Sequence, residues 1–406
     1  MSAASTIQDS PYSWFRLAVS LALATIGGIG IWSGIVVLPF IQIEFGVDRS
    51  GASFPYTMSM IGFAVGGLLM GRLADRFGIM VPMFLGSIML GLGFVTSALA
   101  PTYYIYVACQ AVLIGLGCAT IFGPLVADVS LWFQKRRGIA VAVAASGNYI
   151  AGTIWPPFLT WGIQTYGWRY AYIALGILTV SLMLPLSLFL RRRASLDERP
   201  SPSITAAHSG GKALDGTPVL QGLLVLAGLA CCVAMSMPQV HIIAYCGDLG
   251  YGPARGAEML SIMLGFGVVS RLAFGFIADR IGGVKTLIIG SFLQCLALLF
   301  YIPFDGLASL YVVSAFFGLA QGGIVPSYAL IVRDYFPARE AGFRISLVLT
   351  ATVLGMALGG WLSGEIFDRT GSYQAAFLHG IAWNVLNMAI AFWLLMGRKT
   401  AKLSPA

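Results

Sequence analysis

Twelve times along its 406 residues this chain runs for about twenty residues or more almost without charge. A helix needs about 20 apolar residues to cross the hydrocarbon core of a bilayer, and there it can satisfy its own backbone. The runs cover approximately residues 15–42, 51–72, 80–100, 102–130, 138–162 and 168–190, then 218–246, 255–278, 284–303, 307–333, 340–366 and 373–397. They predict an all-α membrane protein with twelve transmembrane helices. Composition agrees: 10% of residues are charged, against roughly 25% in a soluble domain, so most of the surface must face lipid. The first run is too long for the apolar core of a signal peptide and is expected to be the first span, with no cleavable leader. Gly62, Gly66, Gly67 and Gly71, and likewise Gly355, Gly359, Gly360 and Gly364, fall at spacings that let membrane helices approach closely.

The runs divide six and six. Residues 191–217 open with Arg191, Arg192 and Arg193 and continue Ser-, Pro- and Gly-rich, a composition that builds no core and reads as a linker. The expected organisation is a bundle over 1–190, a cytoplasmic linker over 191–217 and a second bundle over 218–406. If both termini are placed in the cytoplasm, nineteen of the 24 Lys and Arg residues fall on that side. Arg49, Arg169, Arg255 and Arg369 fall on the other, and Arg271 lies inside the eighth span. The positive-inside bias therefore places both termini in the cytoplasm, in an inner (plasma) membrane of bacterial type.

The halves also repeat. Gly71-Arg-Leu-Ala-Asp75-Arg76-Phe-Gly78 returns as Gly275-Phe-Ile-Ala-Asp279-Arg280-Ile-Gly282, Trp132-Phe133 as Tyr335-Phe336, and Gly167 as Gly371. The two halves thus predict pseudo-symmetric six-helix bundles, and parallel repeats of this kind place a substrate site at the midplane.

Several function classes drop out. The net charge of +8 is scattered singly among apolar runs rather than gathered on a basic helix, so no nucleic-acid partner is expected. The six cysteines form no CxxC and no Cys/His cluster, so neither a metal nor a redox role is read into them. A phosphate-binding loop and a nucleophile–His–acid set are both missing, so the chain is expected to be no enzyme and to need no cofactor.

The Gly-x-x-x-Asp-Arg-x-Gly pattern after the second span resembles the signature of the major facilitator superfamily, and here both halves carry it. With twelve spans and a central linker, the resemblance covers the whole chain. It implies the major facilitator fold, secondary transport by alternating access and a monomeric functional unit. It also implies a cytoplasmic latch built from Gly71, Asp75 and Arg76 and from Gly275, Asp279 and Arg280. Trp132-Phe133-Gln-Lys135-Arg136-Arg137-Gly138, followed by Ser146-Gly147, resembles the entry to the fifth helix of monocarboxylate transporters and oxalate/formate exchangers. Those families carry a membrane arginine at the spacing of Arg271 from Gly275 and Asp279, and there it meets the substrate carboxylate. Two departures stand beside this: Gly267 replaces the Asp that the animal carriers place one turn before the arginine, and the first helix reads Ile26-Gly27-Gly28-Ile29-Gly30-Ile31-Trp32 without their acidic residue.

The residues themselves point to an anion. A charge at membrane depth is costly, so Arg271 should face a wet cavity or a partner, and its planar fork suits a bidentate carboxylate. No acidic residue sits clearly at mid-membrane, whereas a cationic substrate would want one. His241 offers a proton relay or a hydrogen-bond donor to substrate, or else packs against a backbone carbonyl. His241 and Asp128 are the candidates for proton coupling. Trp32, Tyr106, Gln110, Asn148, Tyr149, Tyr245, Gln321 and Tyr328 are polar residues in spans that line the cavity in this family, open equally to ligand contact or helix–helix bonding. The expected activity is transport of a small monocarboxylate (lactate, pyruvate or a hydroxy acid) with a proton. The alternatives are dicarboxylate–monocarboxylate exchange of the oxalate/formate type and a non-transporting receptor on the carrier fold.

Overall fold

A computed structural model describes residues 9–133, 135–193, 217–336 and 338–402. The expected linker lies outside them except at its ends. Among the described residues twelve helices are long and apolar enough to cross a membrane. They are α1 (Pro11–Phe45), α2 (Arg49–Phe77), α3 (Met80–Ala98), α4 (Tyr103–Leu131), α5 (Gly138–Tyr166), α6 (Trp168–Leu188), α7 (Pro218–Asp248), α8 (Pro253–Ile281), α9 (Gly283–Phe300), α10 (Leu307–Tyr335), α11 (Gly342–Thr370) and α12 (Tyr373–Met396).

Local chemistry sets their ends. Ser10 caps α1 just before Pro11, and the Asp48 carboxylate accepts from Gly51 N at 2.7 Å to cap α2. The repeat reappears in the backbone. Gly78 and Gly282, which end α2 and α8, have φ of 81° and 83°; Gly167 and Gly371, which end α5 and α11, have 85° and 67°. Only glycine takes that conformation without strain, so the stops of the two halves are conformational equivalents.

The chain gathers into two compact units, Met1–Arg199 with Ile242–Gly265, and Pro200–His241 with Phe266–Ala406. In the first unit α2 and α4 touch backbone to backbone. A Cβ at Gly62 would collide with Ala111 O, and one at Gly115 would sit 2.6 Å from Ser59 O. Gly66 faces α4 as well, whereas Gly67 and Gly71 meet nothing within 4 Å. α1 and α5 pack likewise, with Gly28 against Ala151 and Gly147 against Ala24. The end of α7 and the start of α8 join this unit: Arg49 Nη2 donates to both Asp248 carboxylate oxygens at 2.8 and 2.9 Å, and Ser261 Oγ donates to Thr153 O. In the second unit Gly355 and Gly359 of α11 press on Leu229, Val233 and Ser236 of α7. Small residues thus set the interhelical distance where no hydrophobic effect can.

Three spans are interrupted. α1 breaks at Gly28; α4 passes through a π-helical stretch over Gln110–Gly115 and breaks at Phe122, with φ −115° and ψ −88°. α10 breaks at Gly322–Gly323 between helices Leu307–Gln321 and Ile324–Tyr335. Breaks and π turns in a membrane helix expose backbone polar groups and recur at functional sites.

Candidate functional site

The first unit holds most of the expected residues of the first six spans. Trp32 is buried and its indole Nε1 donates to Asn148 O at 2.9 Å, so α1 and α5 present these two residues together. Tyr149 follows on α5 and is buried. Gln110 opens the π turn of α4, fully buried, and Ser59 Oγ reaches its Oε1 at 3.3 Å and its carbonyl at 3.2 Å. Tyr106 meets Gln110 through a shared neighbour: its hydroxyl lies 3.4 Å from that of Tyr172, which also bonds Gln110, and its ring packs on Phe45 and Trp168. Tyr245, half-buried on α7, belongs to this unit as well.

Asp128 is held in a buried ion pair. Arg16, 1% exposed, donates through Nε to Oδ2 at 3.0 Å and through Nη2 to Oδ1 at 3.0 Å and Oδ2 at 2.8 Å. The guanidinium lies 4.5 Å from the centre of the Trp132 ring, and Nη2 also reaches Leu190 O at 3.4 Å. Nothing in the sequence shows that Arg16 has a partner 112 residues away.

In the second unit Arg271 lies on α8 ten residues before its end at Ile281, about 15 Å along the helix axis. It is half-buried, with Nε enclosed. Gln321, fully buried before the α10 break, accepts from Gln239 Nε2, and its own Nε2 finds no acceptor among the described residues. Tyr328 turns into the packing: its hydroxyl donates to Asn387 Oδ1 at 2.7 Å, and Asn387 Nδ2 donates to Ser291 Oγ at 2.8 Å. Neither Asn387 nor Asn384, whose amide donates to Ser291 O at 2.7 Å, was singled out in the sequence, although an asparagine within a span demands a partner.

His241 is fully buried between two partners. Nε2 lies 2.7 Å from Gly360 O and Nδ1 3.2 Å from the Tyr373 hydroxyl. A carbonyl only accepts, so Nε2 carries hydrogen and neutral Nδ1 accepts from Tyr373. α7, α11 and α12 meet at this ring.

Of the expected latch, Asp75, Arg76, Gly275, Asp279 and Arg280 are exposed and Gly71 half-buried. Among the described residues neither aspartate makes an ion pair. Arg76 lies over the Phe77 ring at 5.1 Å, and Arg193 Nη2 donates to Phe77 O beside Gly78, tying Arg193 to the α2–α3 turn. No group of three or more His, Cys, Asp or Glu residues that could hold a metal occurs among the described residues.

Comparison with known proteins places this arrangement. A family model described as Major Facilitator Superfamily matches residues 20–307 and 247–406. Monocarboxylate transporter 13 of Bos taurus is 27% identical over 376 residues, covering 86% of each chain. An MFS-type transporter of Gibberella moniliformis is 24% identical over 91% of this chain and 90% of its own length, and an agnestins efflux protein of Paecilomyces divaricatus is 25% identical over 88% and 82%. Among solved structures, a bacterial homologue of the human lysosomal transporter Spinster matches with TM-score 0.71 at 16% identity, covering 98% of this chain and 99% of that one. A nucleoside transporter matches with TM-score 0.71 at 13% identity over 94% and 99%. At these identities the structures establish likeness of fold.

Proposed function

The chain belongs to the major facilitator superfamily, and from that premise we propose that it is a secondary carrier of a small organic anion. The favoured substrate is a monocarboxylate such as lactate, pyruvate or a hydroxy acid, moved together with a proton by alternating access. The observation that carries this reading is Arg271. It is a permanent cation about 15 Å inside the end of α8, while the acids within the spans lie near span ends or in ion pairs, as Asp128 does with Arg16. A guanidinium at that depth is expensive unless it meets an anion or water, and a carboxylate matches its fork. The buried Nε2 of Gln321 offers a further donor of the kind an anion accepts. Likeness to monocarboxylate transporter 13 supports the same substrate class.

The proton's carrier is then His241 rather than Asp128. Protonating Asp128 would strip the counter-ion from a guanidinium that is 1% exposed. Protonating His241 at Nδ1 only turns the Tyr373 hydroxyl from donor to acceptor and keeps both contacts. Both termini face the cytoplasm, as the basic residues require, and the six-helix halves flank residues 191–217 as a linker.

A second reading, export of a different organic molecule, is favoured by the fungal efflux relative at nearly the same identity. Uptake of labelled lactate, pyruvate, oxalate and a sugar into proteoliposomes, with and without an inward proton gradient, separates them. Gradient-driven monocarboxylate uptake that is lost in Arg271→Gln supports the proposal. Uptake that needs preloaded anion makes the protein an exchanger, and silence toward every carboxylate removes Arg271 from the site.

A further inference from the structure

We propose that Ser270 and the Gly322–Gly323 break of α10 position Arg271, and so set how tightly the carrier holds its anion. The inference rests on the reading of Arg271 given above. Gly267, Ser270, Arg271 and Phe274 recur at intervals of three and four residues and form one face of α8. All four press into the break. A Cβ at Gly322 would lie 2.6 Å from Arg271 N, 2.6 Å from Gly267 O and 2.7 Å from Ser270 Oγ, and one at Gly323 would collide with the Phe274 ring. The two glycines are therefore a notch that admits the α8 backbone at the arginine itself.

Ser270 fixes the register within that notch. It is 1% exposed, and its hydroxyl donates to Leu319 O at 2.6 Å while accepting from Gly322 N at 3.2 Å. One side chain thus bonds the last turn before the α10 break and the first glycine of the break itself, and the neighbouring residue is the cation. Breaks in membrane helices are tolerated where a hydroxyl re-satisfies the freed backbone; here that repair also anchors the site. A bidentate grip on a carboxylate needs the guanidinium plane held in a fixed place, so a shift of the Arg271 backbone weakens binding without removing the charge.

Two variants perturb the notch in different ways: Gly322→Ala wedges α8 away, and Ser270→Ala removes the anchor with no added bulk. Uptake of labelled lactate and pyruvate into proteoliposomes is measured for both, for Ser270→Thr and for Arg271→Gln, after each protein is shown to be monodisperse in detergent. The expected result is a half-saturating concentration raised about tenfold in Gly322→Ala and Ser270→Ala, a maximal rate kept within about twofold, and recovery in Ser270→Thr, which keeps the hydroxyl. Combining either change with Arg271→Gln should add nothing further. If Arg271→Gln abolishes uptake while both notch variants keep the wild-type half-saturation, or lose only maximal rate, the positioning role is overturned and the anion site stands. If Arg271→Gln transports normally, or no carboxylate is carried at all, the anion site falls and this inference with it. Should Gly322→Ala not fold, Ser270→Ala against Ser270→Thr decides alone.

Discussion

The Arg16–Asp128 pair allows a sharp test of what a buried charge does in this fold. At 2.8 Å, and with an effective dielectric constant of about 20, the gross attraction is about 6 kcal/mol. Most of that offsets the desolvation of two ions. The cost of breaking the pair is larger than its net worth, because one charge is left buried: typically about 3–5 kcal/mol. Asp128→Asn keeps the shape and one acceptor oxygen, which puts its expected cost at the lower end, about 3 kcal/mol. For a cooperative unit of about 200 residues each kcal/mol lowers the midpoint by roughly 2–4 °C, so Asp128→Asn should unfold about 6–12 °C below the wild type. Cys118 gives the readout, since it is a free thiol buried in the same unit and reacts with a thiol-specific fluorophore only as the unit opens. Replacing both partners, Arg16→Met with Asp128→Leu, should restore most of the loss, because no uncompensated ion remains. An Asp128→Asn protein that melts within about 2 °C of the wild type would refute the reasoning. If it melts normally yet loses gradient-driven uptake, Asp128 rather than His241 carries the proton.

Four further outcomes are expected. His241→Gln should abolish stimulation of uptake by a proton gradient while leaving exchange of labelled for unlabelled anion across the membrane, measured as counterflow in proteoliposomes. Gly62→Ala, whose Cβ would meet Ala111 O, should cost about 1–3 kcal/mol in thermal unfolding in detergent. Gly67→Ala, with nothing within 4 Å, should fall within about 0.5 kcal/mol of the wild type. Asn387→Leu strands the hydroxyls of Tyr328 and Ser291 and should cost about 1–2 kcal/mol by the same melt, with the half-saturating substrate concentration unchanged.

The fold was legible because the bilayer imposes it one segment at a time. Length and absence of charge identify a span without knowledge of its neighbours, and the glycines at 78, 167, 282 and 371 mark stops that the backbone needs. The site was legible only in part, because apolarity says that a residue lies in the membrane and not which way its helix is turned. Tyr106, Gln110 and Tyr328 all read as polar residues of a cavity-lining span. The Tyr106 hydroxyl proved to meet that of Tyr172, and Tyr328 bonds to Asn387, 59 residues away. Gln239 and Gln321 stand 82 residues apart and share one side-chain hydrogen bond. Such pairings depend on helix rotation, which a sequence nearly uniform in hydrophobicity does not encode in its periodicity. Arg271 stands out as a candidate because a charge within a span is conspicuous whichever way its helix turns.

The internal repeat separates scaffold from function. Gly71 corresponds to Gly275, so Gly66 corresponds to Ser270 and Gly67 to Arg271. In the first unit a Cβ at Gly66 would lie 2.7 Å from Ala119 Cβ and 2.9 Å from Leu116 Cα of α4; in the second, Ser270 bonds to Leu319 and Gly322 of α10. The same face of the second helix of each half therefore meets the same stretch of the fourth. At the next position the halves diverge: Gly67 has open space beside it, and its equivalent carries the guanidinium. A packing register common to both halves holds a charge in only one. Under the proposed reading of a singly charged anion, one cation at this register matches the substrate's charge, and a second arginine at position 67 would add a charge within the span that the substrate does not neutralise.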